Sequence, residues 1–169
     1  MKYLYRKNKK QNVGLSLNAQ EIEIFVPSLF GGLLLSGERR SIKNWAVRAL
    51  FQISTLGKAR VFYLRENGKL IHTSYVIPRC FKFSYLGEED YQIGPCYTYP
   101  EYRGKGYYPK MLTYICEKIG TDKTVFYMTV DENNHPSIKG IEKAGFERCG
   151  NIKTTKLLKR YLWNREQKN

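Results

Sequence analysis

Tyr99-Pro100-Glu101-Tyr102-Arg103-Gly104-Lys105-Gly106-Tyr107-Tyr108 is the stretch on which the reading of this chain turns. Residues 91–99 before it read as a strand, with Gly94-Pro95 predicting a bulge or bend. Residues 106–119 after it read as a helix. Tyr108, Met111, Leu112, Ile115, Cys116 and Ile119 recur at i, i+3, i+4, i+7, i+8 and i+11, which makes one apolar stripe. Pro109 falls in the first turn, where a missing N–H does no harm. A strand that turns directly into a helix exposes the helix's unpaired N–H groups and the positive end of its dipole. A phosphate placed there is stabilised by both. Gly104 and Gly106 let the backbone approach such a ligand and adopt conformations that other residues resist. Arg103 and Lys105 add full positive charge. The segment therefore predicts a diphosphate cradle, although an ordinary tight turn accounts for the glycines equally well. It is neither G-x-x-x-x-G-K-[ST] nor G-x-G-x-x-G, because Pro109 stands where the latter needs its last glycine.

Downstream, residues 124–130 read as a strand and 134–144 as a short helix with Pro136 in its first turn. Residues 146–149 and 152–161 supply closing strands. The helix between strands 91–99 and 124–130 makes that connection a crossover, so the two strands should be parallel. Upstream, 60–65 and 69–77 form a hairpin over Asn67-Gly68, and Pro78 ends its second strand. A short strand is expected around Phe81-Lys82-Phe83. Residues 41–54 read as a helix with Ser41 as N-cap and an apolar stripe of Ile42, Trp45, Ala46, Ala49, Leu50 and Ile53. Residues 21–26 alternate like a first strand, followed by a bend at Gly31-Gly32. The polar first 20 residues are expected to be loose. The fold class is α/β (α+β), with a mixed, mostly antiparallel sheet and flanking helices, in a single domain over residues 1–169.

Composition bounds the function. Lys and Arg number 29 against 15 Asp and Glu, a net charge of +14. That excess suits a polyanionic partner such as nucleic acid, an anionic membrane surface or a phosphate-rich small molecule, without choosing among them. The longest apolar run, Leu29-Phe30-Gly31-Gly32-Leu33-Leu34-Leu35, falls far short of the roughly 20 residues a membrane span needs. Cys80, Cys96, Cys116 and Cys149 show no C-x-x-C pair, so no metal site and no disulfide framework is expected. A soluble protein of a reducing cytoplasm follows.

A second segment gives the turn its meaning. Asn134-His135-Pro136-Ser137-Ile138-Lys139-Gly140-Ile141-Glu142-Lys143-Ala144-Gly145-Phe146 follows the next strand. Together the two segments resemble the GNAT superfamily of acyl-CoA-dependent N-acetyltransferases. The first is similar to that family's Q/R-x-x-G-x-G/A pyrophosphate motif, opened by Arg103. The second is similar to its N-x-x-[A/S]…E-K-x-G-F segment, with Asn134 and Ser137 in place. The likeness covers roughly residues 91–150. It implies that the parallel strands splay and that the pantetheine arm of acetyl-CoA lies between them. Tyr97 and Thr98 would then contact the arm through backbone. Arg103, Gly104, Lys105, Gly106, Tyr107 and Tyr108 would hold the diphosphate, and Asn134 would lie near the pantetheine.

Two positions depart from the family pattern. Tyr108 stands where Gly or Ala is usual. Ile141 stands where many members carry a Tyr that protonates the leaving thiolate. A thiol with a pKa of ~8.5 is a tolerable leaving group without help. Where the thiolate needs a donor, His135, Ser137 or a strand Tyr takes that place. The amine must lose a proton, and His135 is the candidate base, with His72, Asp131 and Glu132 as alternatives. Glu101 is expected to face solvent. The resemblance implies direct transfer of an acetyl or short acyl group from acyl-CoA to an amine, without a covalent enzyme intermediate. The 14 tyrosines offer stacking surface for a ring, so an amino sugar, nucleotide-linked or free, is the first expectation for the acceptor and a protein or peptide amine the second. The competing reading is a non-catalytic basic RNA-binding or membrane-surface module on the same fold.

Overall fold

A computed structural model describes residues 1–9, 22–27, 42–155 and 160–163. Among them the chain runs β1 (Lys2–Asn8), β2 (Ile22–Phe25), α1 (Ile42–Ser54), β3 (Arg60–Glu66), β4 (Lys69–Pro78), β5 (Tyr91–Thr98), α2 (Tyr107–Lys118), β6 (Val125–Asp131), α3 (His135–Lys143), β7 (Glu147–Thr154) and β8 (Tyr161–Leu162). The eight strands lie in the order β2-β3-β4-β5-β6-β1-β7-β8. Every neighbouring pair is antiparallel except β5 and β6.

The parallel pairing follows from the α2 crossover, and it is short. Only Tyr91↔Phe126 and Gln92↔Tyr127 are in register. Beyond Gln92, β5 stays with β4 and parts from β6. The register of β4 against β5 slips between Ser74 and Val76, where Gly94 and Pro95 together oppose Tyr75. That is the expected bulge, and an extra residue there bends the strand. The β3–β4 hairpin turns on Asn67 and Gly68, both with positive φ (49° and 76°), which is the twist-matched two-residue turn.

The first strand corrects the expectation of a loose N-terminus. Lys2–Asn8 lies between β6 and β7, paired to both. Its polar composition conceals an alternation. Tyr5 and Lys7 are buried towards α2 and α3, while Leu4 is buried on the other face. Long amphipathic side chains fill core space with their stems and rings and place their polar tips on partners. The Lys7 ammonium donates to Ala144 O at 2.7 Å, at the C-terminal end of α3, and the Tyr5 hydroxyl donates to Glu142 Oε1 at 2.9 Å. Of the other residues expected to be loose, 10–20 lie outside the described residues, as do Gly31-Gly32 and Ser41.

The predicted face of α1 is also reversed. Trp45, Ala46, Leu50 and Ile53 are exposed, and of the predicted stripe Ala49 is buried. Arg48, Phe51, Gln52 and Thr55 are buried instead. Each of the three polar side chains makes a hydrogen bond inside. Arg48 Nε donates to the Tyr75 hydroxyl, Gln52 Nε2 donates to Ala59 O at 3.1 Å, and Thr55 Oγ1 accepts from Ala59 N at 3.1 Å. Phe51 stacks on Phe83 at 6.3 Å and anchors the helix. Two further expectations fail locally. Phe81–Phe83 is a 3-10 turn rather than a strand. The expected gap between 149 and 152 is instead strand, since β7 runs through Gly150; of 152–161, residues 156–159 lie outside the described residues and Tyr161 opens the two-residue β8.

Two cores result. One lies under α2 and α3, built from Phe62, Leu64, Ile71, Met111, Leu112, Ile115, Phe126 and Ile141 among others. The other lies on the α1 side and includes Leu4, Phe51, Val61, Ile77, Phe83 and Tyr127. The site grows where β5 leaves β6 above the first core.

Candidate active site

A cleft of about 780 Å³ opens between the end of β5, the start of α2 and one side of α3. Its floor is β5, represented by Cys96, Tyr97 and Thr98. The chain then makes a 3-10 turn at Pro100–Tyr102 and swings into α2. Gly104 and Gly106 take positive φ of 77° and 79°, and a Cβ added to either would meet nothing within 4 Å. Conformation, rather than crowding by the protein, therefore demands glycine there, and the backbone is left open on the cleft side. Gly106 is the N-cap of α2, and no side chain caps that helix.

Most of the residues singled out from sequence line this cleft. Tyr97, Thr98, Arg103, Gly104, Gly106, Tyr107, Tyr108 and Asn134 are all in its wall. Arg103 Nε donates to Thr98 O at 3.1 Å, and its guanidinium lies 5.7 Å from the Tyr97 ring, so strand β5 itself fixes the cation at the rim. The Asn134 side chain accepts from Ser137 N at 3.3 Å and caps α3. Lys105 stands outside the lining, exposed, with its ammonium 5.4 Å from the Tyr102 ring.

The Tyr108 departure has a structural counterpart. A Cβ on Gly140 of α3 would come within 2.5 Å of Tyr108 Cδ1, so the absence of a side chain at 140 makes room for the ring at 108. The same ring lies 5.8 Å from His72 at a tilt of 34°. Burial pushes the Tyr108 phenol well above its ordinary range, so it stays protonated.

The acid–base candidates fall elsewhere. His135 is exposed on the first turn of α3 and outside the cleft lining. Asp131 Oδ1 accepts from Asn133 N at 3.1 Å, Glu132 Oε1 lies 2.7 Å from the Met1 amino group, and neither lines the cleft. Glu101 is exposed. Ile141 is buried in the core. His72 lies fully buried behind the floor, its Nδ1 at 2.7 Å from Thr98 Oγ1 and its Nε2 at 2.8 Å from Ser74 Oγ. Desolvation pulls the imidazole down to a pKa of about 3, so it is neutral at physiological pH.

Sequence reasoning missed Lys139 and Lys143. They line the cleft four residues apart on α3, opposite the glycine turn. Their i, i+4 spacing on a helix that begins beside the turn was the available signal. It also passed over Cys96, Tyr102 and Pro136, which line the cleft.

Comparison with known proteins places the fold. The profile of the family described as acetyltransferase (GNAT) matches residues 35–146, well over half of the chain. Comparison with curated proteins gives no match. Among solved structures, an acetyltransferase from the GNAT family from Colwellia psychrerythraea shares 18% identity with a TM-score of 0.57 and is covered over 52% of its length by 87% of this chain. A functionally unknown conserved protein from Staphylococcus epidermidis shares 12% identity with a TM-score of 0.58, covering 88% of this chain and 57% of that one. A GCN5-related N-acetyltransferase from Sphaerobacter thermophilus shares 11% with a TM-score of 0.53, covering 87% and 48%. Such identities speak for the fold. The chain spans about half the length of these structures.

Proposed function

The chain belongs to the acetyltransferase (GNAT) family, and from that premise we propose that it transfers an acetyl or other short acyl group from acyl-coenzyme A to an amine. The observation that carries the reading is the open glycine turn in the cleft wall. Acyl-CoA is a substrate here, and the residues present fit it. The backbone at Gly104 and Gly106 is accessible, α2 presents its N-terminus, and Arg103, Lys139 and Lys143 surround the opening with positive charge. Among the described residues the floor beyond Gln92 has no strand partner on the β6 side, which leaves its backbone available to an extended amide-bearing arm.

In this mechanism the amine nitrogen attacks the thioester carbonyl carbon directly and the tetrahedral intermediate expels the thiolate. The protein holds two substrates in line and offers strand N–H groups to the developing oxyanion. Tyrosines 97, 102 and 107 around the cleft suit an acceptor with a ring, and an amino sugar is our first choice. The competing reading, a basic nucleic-acid or membrane-surface module, gains nothing from the comparisons.

Calorimetric titration with acetyl-CoA tests the proposal, followed by thiol release against a panel of amines. Binding that weakens in Arg103→Ala, with release driven by an amine, is the expected result. No binding at millimolar acetyl-CoA would sink it.

A further inference from the structure

The cleft lining contains Tyr, Lys, Arg, Ser, Thr, Asn and Cys side chains, but among the described residues no carboxylate and no imidazole. An amine attack still has to move one proton off nitrogen and one onto sulfur. Four side chains, two in the floor and two beside it on β4, are arranged to do both.

They form a two-by-two array on adjacent strands. His72 stands directly across from Thr98, and Ser74 directly across from Cys96, in the β4–β5 register. Thr98 Oγ1 meets His72 Nδ1 at 2.7 Å, His72 Nε2 meets Ser74 Oγ at 2.8 Å, and the Ser74 hydroxyl donates to Cys96 Sγ at 3.2 Å. The two middle members have 0% exposure, and the two end members line the cleft. The chain thus leaves the cleft at one point and returns to it two residues along the same strand.

Each member is neutral, with one transferable proton and one site that accepts. The donation from Ser74 to Cys96 sets the polarity. Ser74 Oγ then accepts from His72 Nε2–H, and His72 Nδ1 accepts from the Thr98 hydroxyl. Thr98 is left with a lone pair for the cleft and Cys96 with its S–H.

We propose that Thr98, His72, Ser74 and Cys96 carry the proton from the attacking amine to the departing coenzyme A thiolate by a concerted shift along this chain. The amine proton goes to Thr98 Oγ1 and the Thr98 proton to His72 Nδ1. The Nε2 proton goes to Ser74, the Ser74 proton to Cys96, and the Cys96 proton to the thiolate sulfur. One proton enters and one leaves, and every residue ends neutral with the array reversed. After the thiol departs, water at the two ends drives the reverse shift. The shift has to be concerted, because desolvation makes a resting imidazolium at His72 costly, and burial likewise holds Cys96 as a thiol. Thr98 and Cys96 meet the reacting groups, and His72 and Ser74 act through them. The proposal rests on the acyl-transfer reading above.

The test compares wild type with Ser74→Ala, Thr98→Val and Cys96→Ala, and with the conservative Thr98→Ser and Cys96→Ser. Three quantities are read: kcat with an amine acceptor, the Kd for acetyl-CoA, and the 15N signals of His72. The chain has two histidines, so the latter are assignable. The relay predicts that Ser74→Ala and Thr98→Val lower kcat about 10²- to 10⁴-fold, the usual range for proton-transfer assistance. Kd should stay within about threefold, and the two conservative variants should recover most of the rate. Wild type should show a neutral His72 with its proton on Nε2 and a curved proton inventory in H2O–D2O mixtures, which becomes linear in the broken chains. Ser74→Ala with wild-type kcat, or a His72 proton on Nδ1 in the resting protein, overturns the relay and leaves acyl transfer standing. If Ser74→Ala fails to fold, Thr98→Val and Cys96→Ala decide by the same criterion. Wild type that binds no acetyl-CoA removes the acyl-transfer reading itself.

Discussion

The turn at residues 103–108 and strand β1 are both rich in Lys, Arg and Tyr, and the fold uses them in opposite ways. In the turn, Arg103 and Lys105 are exposed and two glycines open the backbone towards a cleft. In β1, Lys7 is at 1% exposure, its charge held by a helix-end carbonyl, and desolvation lowers its pKa. The same chemical vocabulary thus yields an open cleft wall at a strand end and a structural post at the sheet centre. What separates them is backbone pairing. β1 is hydrogen-bonded on both sides and has nowhere to put a ligand.

That contrast predicts stability losses in β1 and affinity losses in the turn. Leu4→Ala, at a site of 0% exposure, should lower unfolding free energy by about 2–5 kcal/mol in urea titration. A loss below about 1 kcal/mol would mean β1 is not a central strand. Acid comes next and acts on the wall behind the turn. His72 has a folded pKa of about 3 against 6.5 unfolded, so between those values the unfolded chain binds the extra proton. Stability should fall as pH drops through that window, by at most about 1.4 kcal/mol per unit from this group. His72→Gln should flatten the slope in thermal melts at pH 7 and pH 4.5, and an unchanged slope would show His72 is not buried neutral. Gly106→Ala should lose about 1–2 kcal/mol, because its Cβ meets no atom but its φ is left-handed. Its acetyl-CoA affinity should fall as well. The smallest stability effect belongs to Arg103→Ala, within about 0.5 kcal/mol of wild type. In the same variant calorimetry should show affinity reduced roughly tenfold, about 1.4 kcal/mol.

Legibility in the sequence followed periodicity and punctuation. The α2 stripe and the Asn67-Gly68 hairpin were readable because each rests on a local rule that its own residues satisfy. The glycine turn was readable for the same reason. β1 was not, because Tyr and Lys count as polar in a pattern while their rings and stems pack as core. The buried face of α1 was misread because its polar residues find partners on β4 and the loop before β3, contacts that no local window contains. The His72 array escaped for a related reason. His72, Ser74, Cys96 and Thr98 are separated along the chain and become neighbours only through the β4–β5 register.

The place of β1 in the sheet bears on how the chain is made. Lys2 pairs with Asp131 and with Ile152, so β1 must wait for strands translated more than a hundred residues after it. At ordinary synthesis speeds of about 5–20 residues per second, some 120 residues represent about 6–25 s. During that interval β1 lacks both of the strands it pairs with. A strand rich in lysine and arginine is well suited to such a wait, because its charge keeps it hydrated and apart from other nascent chains until its slot exists.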